Sequence, residues 1–436
     1  MVNLTHRRVL SIAVPIVLAN ITVPLLGLVD TGVIGQLGQA APLGAVALGA
    51  LILSAIYWVC GFLRMGTTGL TSQAIGAGDM DEAFALLKRG LLVGFGFGLF
   101  VILAQWPLFW GAFYLSPASD EVETLARQYM SIRVWSAPAA IASYAVIGWL
   151  IARERSRGVL VQQVAMNIVN IGLDVLFVLV LNWGVAGVAW ATFVADWAGL
   201  AVGLWFCRDA IRTRIGWPAI LDAARIKRMA MVNVDILIRT LALQAMVVMF
   251  VFWGAAMGDV QLAANEVLMQ FLTLVAFCLD GFAFSAETLV GQAMGRGDRA
   301  LLRRAAILSS FWGAITTVAM VALFWPFGPA IIDFLTTAPD VREAARVFLP
   351  YMIVGPLIGL PAWMLDGIFI GATRTRDMRN MMLISFAIYI AAAIPLIDQF
   401  GNHGVWLAMI VSWVARGVTL GIRYPALERS VVPTKG

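Results

Sequence analysis

The sequence predicts an all-α integral membrane protein: twelve transmembrane helices in two six-helix lobes related by a parallel internal repeat. Three observations predict it. Of the 436 residues, 61% are hydrophobic, against about 45–50% in an average soluble protein, and the 13% that are charged are too few to cover a soluble chain of this length. Apolar runs long enough to cross a bilayer recur twelve times. One polar motif also recurs at a fixed distance along the chain. No long polar stretch remains for a separate soluble domain.

The first span, 9–36, sets the pattern. From Val9 to Val29 it holds no Asp, Glu, Lys, Arg or His, and then Asp30 arrives before the helical pattern stops near Gly35. A carboxylate inside such a span costs about 2.5–3.5 kcal/mol on insertion scales, so it faces protein or a watery cavity. Pro15 and Pro24 lie on the same span and are expected to bend or loosen it just before the acid. A protonatable group beside a flexible point suggests a coupling site; an acid held in a structural hydrogen bond is the alternative. The run is too long for a cleavable signal peptide, and no small-residue cleavage pattern follows it, so the first helix itself is expected to direct insertion.

The remaining spans run roughly 43–71, 86–113, 123–150, 159–181, 185–206, 229–257, 261–290, 301–332, 343–371, 379–397 and 403–423. Basic residues then fall on alternate connections. Arg7 and Arg8, Lys88 and Arg89, and Arg153, Arg155 and Arg157 lie on one face; so do the cluster from Arg208 to Arg228, Arg296 to Arg304, Arg374 to Arg379, and Arg423, Arg429 and Lys435. The opposite connections Leu37–Pro42, Leu181–Gly184 and Gly258–Gln261 carry none. The positive-inside rule therefore puts both termini and the middle loop in the cytoplasm of a cell (inner) membrane. The net charge of +5 is explained by this placement rather than by a nucleic-acid partner.

Gln73-Ala74-Ile75-Gly76-Ala77-Gly78-Asp79 recurs 219 residues on as Gln292-Ala293-Met294-Gly295-Arg296-Gly297-Asp298, and the same shift aligns Gly148 with Gly367 and Arg155 with Arg374. This divides the chain into an amino-terminal six-helix lobe (1–206), a basic linker (207–228) and a carboxyl-terminal six-helix lobe (229–436). Six spans per half keep both halves in one orientation, a geometry suited to alternating access. The Gly-Asp pairs are expected to cap the second and eighth helices; a phosphate loop is excluded because no Gly-Lys-Ser/Thr follows. Gly, Ala and Ser runs such as Gly44–Gly49 and Gly94–Gly98 read as close helix packing. Trp106, Trp110, Trp183 and Trp325 lie near span ends and suit an interfacial belt.

The intramembrane acids of the first half are Asp30, Asp174 and Asp196. Asn167, Asn170 and Asp174 are spaced three and four apart, so one helical face presents two amides and a carboxylate. Asp30 lies about 33 Å beyond Arg8 and Asp174 about 24 Å beyond Gly158 along their helices, which brings both to similar depth in the outer half of the membrane. Two carboxylates there can share a proton or hold a cation. Thr192 and Asp196, four apart, are expected to join them; a network that only ties helices is the other reading. In the second half, Asp174 aligns with Ala393 and Asp280 with Gly61, so the acid site is not repeated. That half carries Arg239, Asp280, Glu287 and Asp366. Arg239 needs a carboxylate partner, Asp280 or Asp366, and the pair serves as a latch or as a structural tie. Glu287 is expected near solvent, and Glu266 beside Asn265 is a weaker site of the same kind.

Taken together, Pro24-Leu25-Leu26-Gly27-Leu28-Val29-Asp30-Thr31 with Gly35-x-Leu37-Gly38, Asn170-x-x-x-Asp174, Leu279-Asp280-Gly281-Phe282-Ala283-Phe284 and Gly371-Ala372-Thr373-Arg374-Thr375-Arg376-Asp377 make the chain resemble the multidrug and toxic compound extrusion (MATE) family, and within it the DinF-like branch. The resemblance spans essentially the whole chain. It implies a V-shaped pair of six-helix bundles that exports organic cations and other amphipathic compounds against proton or sodium entry. It also implies a coupling site at Asp30 and Asp174, with Asn170, Tyr129 and Thr192 as neighbours. Arg239 stands where sodium-coupled relatives carry a glutamate, which argues against a sodium site in the carboxyl lobe.

The expected function is thus a proton-coupled antiporter that works as a monomer on small cationic or amphipathic substrates, with sodium at Asp30 and Asp174 as the alternative coupling ion. A lipid-linked saccharide flippase is the second reading, and Arg64, Arg239 and Arg416 are its only intramembrane arginines by this account. An enzyme is not expected. His6 and His403 lie in no His-Glu-x-x-His motif and no Gly-x-Ser-x-Gly elbow occurs. No repeated selectivity loop suggests a channel. Cys60, Cys207 and Cys278 show no paired or metal-like spacing, so no disulfide, metal or cofactor is expected.

Overall fold

The computed structural model describes residues 4–36, 40–115 and 119–432; Leu37, Gly38 and Lys435, used in the sequence reading, lie outside them. The helices are α1 His6–Gly35, α2 Ala40–Val59, α3 Phe62–Gly76, α4 Met80–Leu103, α5 Gln105–Leu115, α6 Asp120–Arg133, α7 Ala137–Ala152, α8 Ser156–Asp174 and α9 Gly184–Phe206. After the short α10 Arg208–Arg212 and α11 Trp217–Ile220 come α12 Ala223–Ala256, α13 Asp259–Arg296, α14 Arg299–Leu335, α15 Pro339–Gly371, α16 Thr375–Phe400 and α17 Asn402–Arg429. Among the described residues, twelve helical segments are long and apolar enough to cross a membrane, as the hydropathy pattern predicts.

Four spans differ from the sequence reading. The second span is broken at Cys60 and Gly61 between α2 and α3. The third ends at Leu103, so Trp106 and Trp110 sit on the separate helix α5, since polar Gln105 and then Pro107 interrupt the apolar run. The fourth, 123–150, is interrupted between α6 and α7 by a 3-10 turn over Val134–Ser136. The fifth leaves α geometry at Asp174 and finishes as a π-helical turn over Val175–Val180. By contrast α1 is continuous through Pro15 and Pro24. In its second copy the Gly-Asp motif meets the expectation in part: the glycine ends the eighth-span helix, and the aspartate caps the start of the helix that follows. Gly297 ends α13 in the left-handed region (φ 67°), where glycine has no Cβ penalty, and Asp298 caps α14 by accepting from the Leu301 amide at 2.9 Å.

The chain gathers into two compact units. One comprises Leu18–Thr71 and Met80–Arg228. Its tightest seam is α4 on α7, where Gly90, Gly94 and Gly98, four apart, meet Ala145, Ala142 and Pro138. A Cβ on Gly94 would stand 2.7 Å from the Ala142 Cα, so backbone-to-backbone packing is what these glycines permit. Trp149 is buried here and donates to the Ala83 carbonyl at 2.9 Å. The basic stretch 207–228 docks on the same unit. Arg89 donates to the Ile220 carbonyl at 2.7 Å, Lys88 to that of Thr213 at 2.6 Å, and Arg155 clasps Asp209 at 2.9 Å. Burial pushes the Asp209 carboxyl up, but the hydrogen bonds and charge of Arg155 outweigh it and hold the group below the usual carboxylate range.

The other unit comprises Met1–Val17, Ser72–Asp79 and Met229–Gly436. Its core is aromatic and aliphatic, centred on Phe250, Phe271, Phe324, Met352 and Trp406. Gly367 of α15 abuts the Ala283 carbonyl of α13, just as Gly148 abuts the Arg64 carbonyl in the first unit. Both partners of each contact are related by the repeat shift, so the duplication persists as packing geometry. The motif itself makes a reciprocal contact: Gly76 lies against the Gln292 carbonyl and Gly295 against that of Gln73.

Candidate functional site

Asp30 sits on α1, Asn170 and Asp174 on the last turns of α8, and Thr192 on α9; all four are buried. The Asn170 amide is oriented by its surroundings, since one end faces only acceptors. With its nitrogen on that side it donates to Asp174 Oδ2 at 2.9 Å and to Asp30 Oδ1 at 3.0 Å, while its oxygen accepts from the Thr192 hydroxyl at 3.1 Å. One amide therefore bridges two carboxylates from different helices. The other oxygen of Asp174, Oδ1, is buried with no hydrogen-bond partner among the described residues. Asn167, one turn earlier, accepts from Gln163 at 3.1 Å and donates to the Thr22 carbonyl at 3.1 Å, pinning α8 to α1. The three-and-four spacing read from sequence thus puts Asn167, Asn170 and Asp174 on one buried face. The π-helical turn beginning at Val175 was not legible; such turns are frequent at functional sites.

Tyr129 is buried next to this cluster, and its ring fits against Gly49 of α2, where a Cβ would come within 2.6 Å. Beside it lies a residue that sequence reading missed. Arg133, 8% exposed, donates to Asp196 at 2.6 Å, and its charge reaches both Asp30 and Asp174. Asp196, expected to join this cluster with Thr192, has Arg133 as its hydrogen-bond partner and neutralises it, and its charge also reaches Asp30. An arginine inside the fourth apolar span was the available signal, and it belongs with Arg64, Arg239 and Arg416 among the intramembrane arginines.

The second-lobe charges assemble separately. Arg239 of α12 pairs with Asp366 of α15, and Arg416 of α17 donates to the same carboxylate. Of the two acids expected for Arg239, Asp366 is the partner, and Arg416 is an unforeseen third member. The Nε atoms of both arginines are buried with no hydrogen-bond partner among the described residues. Glu287 is 1% exposed, which corrects the expectation of solvation, because Gly371 of α15 packs on its carbonyl and closes that face of α13. Asp280 is half-buried and Glu266 is exposed. It is Asn265, not Glu266, that forms a buried network, bonded to Asn402 at 2.8 and 2.9 Å and to Trp406 at 2.9 Å. Among the described residues no three His, Cys, Asp or Glu side chains cluster as metal ligands.

Comparison with known proteins gives a consistent result. A family model described as MatE matches the chain over residues 15–176 and again over 236–394. The chain is 37% identical to the DNA damage-inducible protein F of Escherichia coli, over 95% of this chain and 91% of that one. It is 23% identical to the human Multidrug and toxin extrusion protein 1, over 94% of this chain and 73% of that one. Among solved structures, a Vibrio cholerae MATE transporter superposes with a TM-score of 0.88 at 17% identity, covering 98% of this chain and 97% of that one. A transporter of the MOP superfamily from Pyrococcus furiosus gives 0.86 at 18% identity, covering 97% and 96%.

Proposed function

The chain belongs to the MatE family of membrane transporters, and we propose that it is a proton-coupled antiporter in which Asp30 and Asp174 carry the coupling proton. It exports drugs, organic cations or other amphipathic compounds as proton enters, by alternating access of lobes 1–206 and 229–436 about the linker 207–228. It lies in the cell (inner) membrane with both termini cytoplasmic and works as a monomer. The observation that carries the reading is the Asn170 bridge. A single neutral donor serves two carboxylates, and two ionised groups so close and so buried repel strongly. One proton on the Asp174 Oδ1, which has no donor among the described residues, relieves that repulsion.

The same geometry favours a proton over sodium. Sodium needs several oxygen ligands converging on one point. Here the amide nitrogen rather than its oxygen faces the acids, and the Arg133 guanidinium lies nearby. The test is transport of a cationic dye in proteoliposomes under an imposed pH gradient and, separately, a sodium gradient. Dye efflux should follow the pH gradient alone, and Asp30→Asn or Asp174→Asn should abolish it while leaving folded protein in the membrane. Full proton-driven efflux by Asp174→Asn, or efflux driven only by sodium, would remove the reading.

A further inference from the structure

We infer that α14, α15 and α17 form a binding site for an anionic phospholipid of the surrounding bilayer. One face of α14 carries Arg299, Arg303, Ile307 and Phe311, each four residues from the last, so they form a single ridge. The ridge changes from basic to apolar along its length, and Ile307 and Phe311 remain 59% and 49% exposed. Beside it lies a cavity of about 860 Å³, walled by Leu360, Met364 and Leu365 of α15 and closed at the basic end by Tyr424 and Glu428 of α17. This volume falls in the range of ligand clefts, about 300–1,000 Å³. A second cavity of about 720 Å³ adjoins it and reaches Arg304.

The charges at the mouth do not cancel. Glu428 accepts from Arg299 at 3.1 Å and from Arg303 at 2.7 Å, and among the described residues Arg304 pairs with no acid. Three guanidiniums thus line the two adjoining cavities against one carboxylate. Glu428 engages the Nε and Nη2 atoms of Arg299 and Arg303 and so holds both forks in place, leaving an Nη1 on each whose donors meet no acceptor among the described residues. A phosphate matches that fork geometry, and the acyl chain attached to it would run along Ile307 and Phe311. Polar head and apolar tail of one molecule are met in order along one helix. A basic recess between membrane helices is the arrangement that selects anionic headgroups.

The experiment uses the purified full chain in neutral detergent, with bound lipid counted by native mass spectrometry and thermal stability followed in parallel. The probes are dioleoyl phosphatidylglycerol, dioleoyl phosphatidylcholine, dioleoylglycerol and inorganic phosphate. Phosphatidylglycerol should bind and raise the melting temperature more than phosphatidylcholine, and neither dioleoylglycerol nor phosphate should reproduce its effect. Arg303→Gln with Arg304→Gln, which keeps Arg299 for Glu428, should cut the preference for phosphatidylglycerol by roughly 30-fold. Ser310→Trp, which fills the groove and leaves every charge in place, should lower binding of both lipids. Equal binding of the two lipids, full stabilisation by phosphate alone, or an unchanged preference in the arginine double variant would overturn the site.

Discussion

Asp366 accepts from two buried guanidiniums, Arg239 and Arg416, so the three residues stand or fall as a unit. Removing the carboxylate alone leaves two cations with no counter-ion in a dry interior, and breaking a buried ion pair in this way costs about 3–5 kcal/mol. Replacing all three by apolar residues of similar volume removes the desolvation penalty together with the attraction, and is often neutral or stabilising. Thermal unfolding should therefore show Asp366→Leu strongly destabilised and the triple variant Arg239→Met, Asp366→Leu, Arg416→Met close to the parent. If the triple variant keeps its stability but loses efflux, the triad is a latch rather than a tie. The need of Arg239 for an acid was legible in the sequence, since an intramembrane arginine demands one. Its second competitor, Arg416, is 177 residues away along the chain and follows no local spacing.

Helices in this protein pack through what their side chains leave out. Gly90, Gly94 and Gly98 of α4 let the α7 backbone approach, whereas Gly96 on the opposite side has nothing within 4 Å of where its Cβ would stand. Gly94→Ala should then cost about 1–3 kcal/mol through overpacking, and Gly96→Ala should gain up to about 1 kcal/mol from helix propensity. Melting temperatures of the two variants, two residues apart, check the assignment directly; equal effects would show that the seam does not govern stability. Gly148 and Gly367 offer the same argument once in each half, against Arg64 and Ala283 carbonyls. Periodicity made the small-residue stripes visible. It did not show which glycine in a stripe meets a neighbour, because that depends on helix rotation.

At the scale of the whole molecule, the twelve candidate spans among the described residues and arginine on alternate connections predict cytoplasmic termini, which labelling from outside the cell tests. In a background with Cys60, Cys207 and Cys278 replaced by Ser, Trp183→Cys should react with a membrane-impermeant maleimide applied externally, and Ala224→Cys should react only after the membrane is permeabilised. The reverse pattern would invert the topology and with it the assigned direction of transport. The duplication also operates at this scale. Corresponding glycines make corresponding carbonyl contacts in both halves, yet the acids sit on different scaffold positions, with Asp30 and Asp174 in one half and Asp366 in the other.

What the sequence determined by itself was the class of molecule, the span count, the repeat and the buried face of Asn167, Asn170 and Asp174. These follow from hydropathy, charge placement and the 3.6-residue turn, all of which act over short stretches of chain. Only the tertiary structure decided that one amide joins Asp30 to Asp174, that Arg133 takes Asp196, and that Arg239 shares Asp366 with Arg416. Those choices are made between helices far apart in sequence, where a buried charge or donor must find its partner by position in space rather than by spacing along the chain.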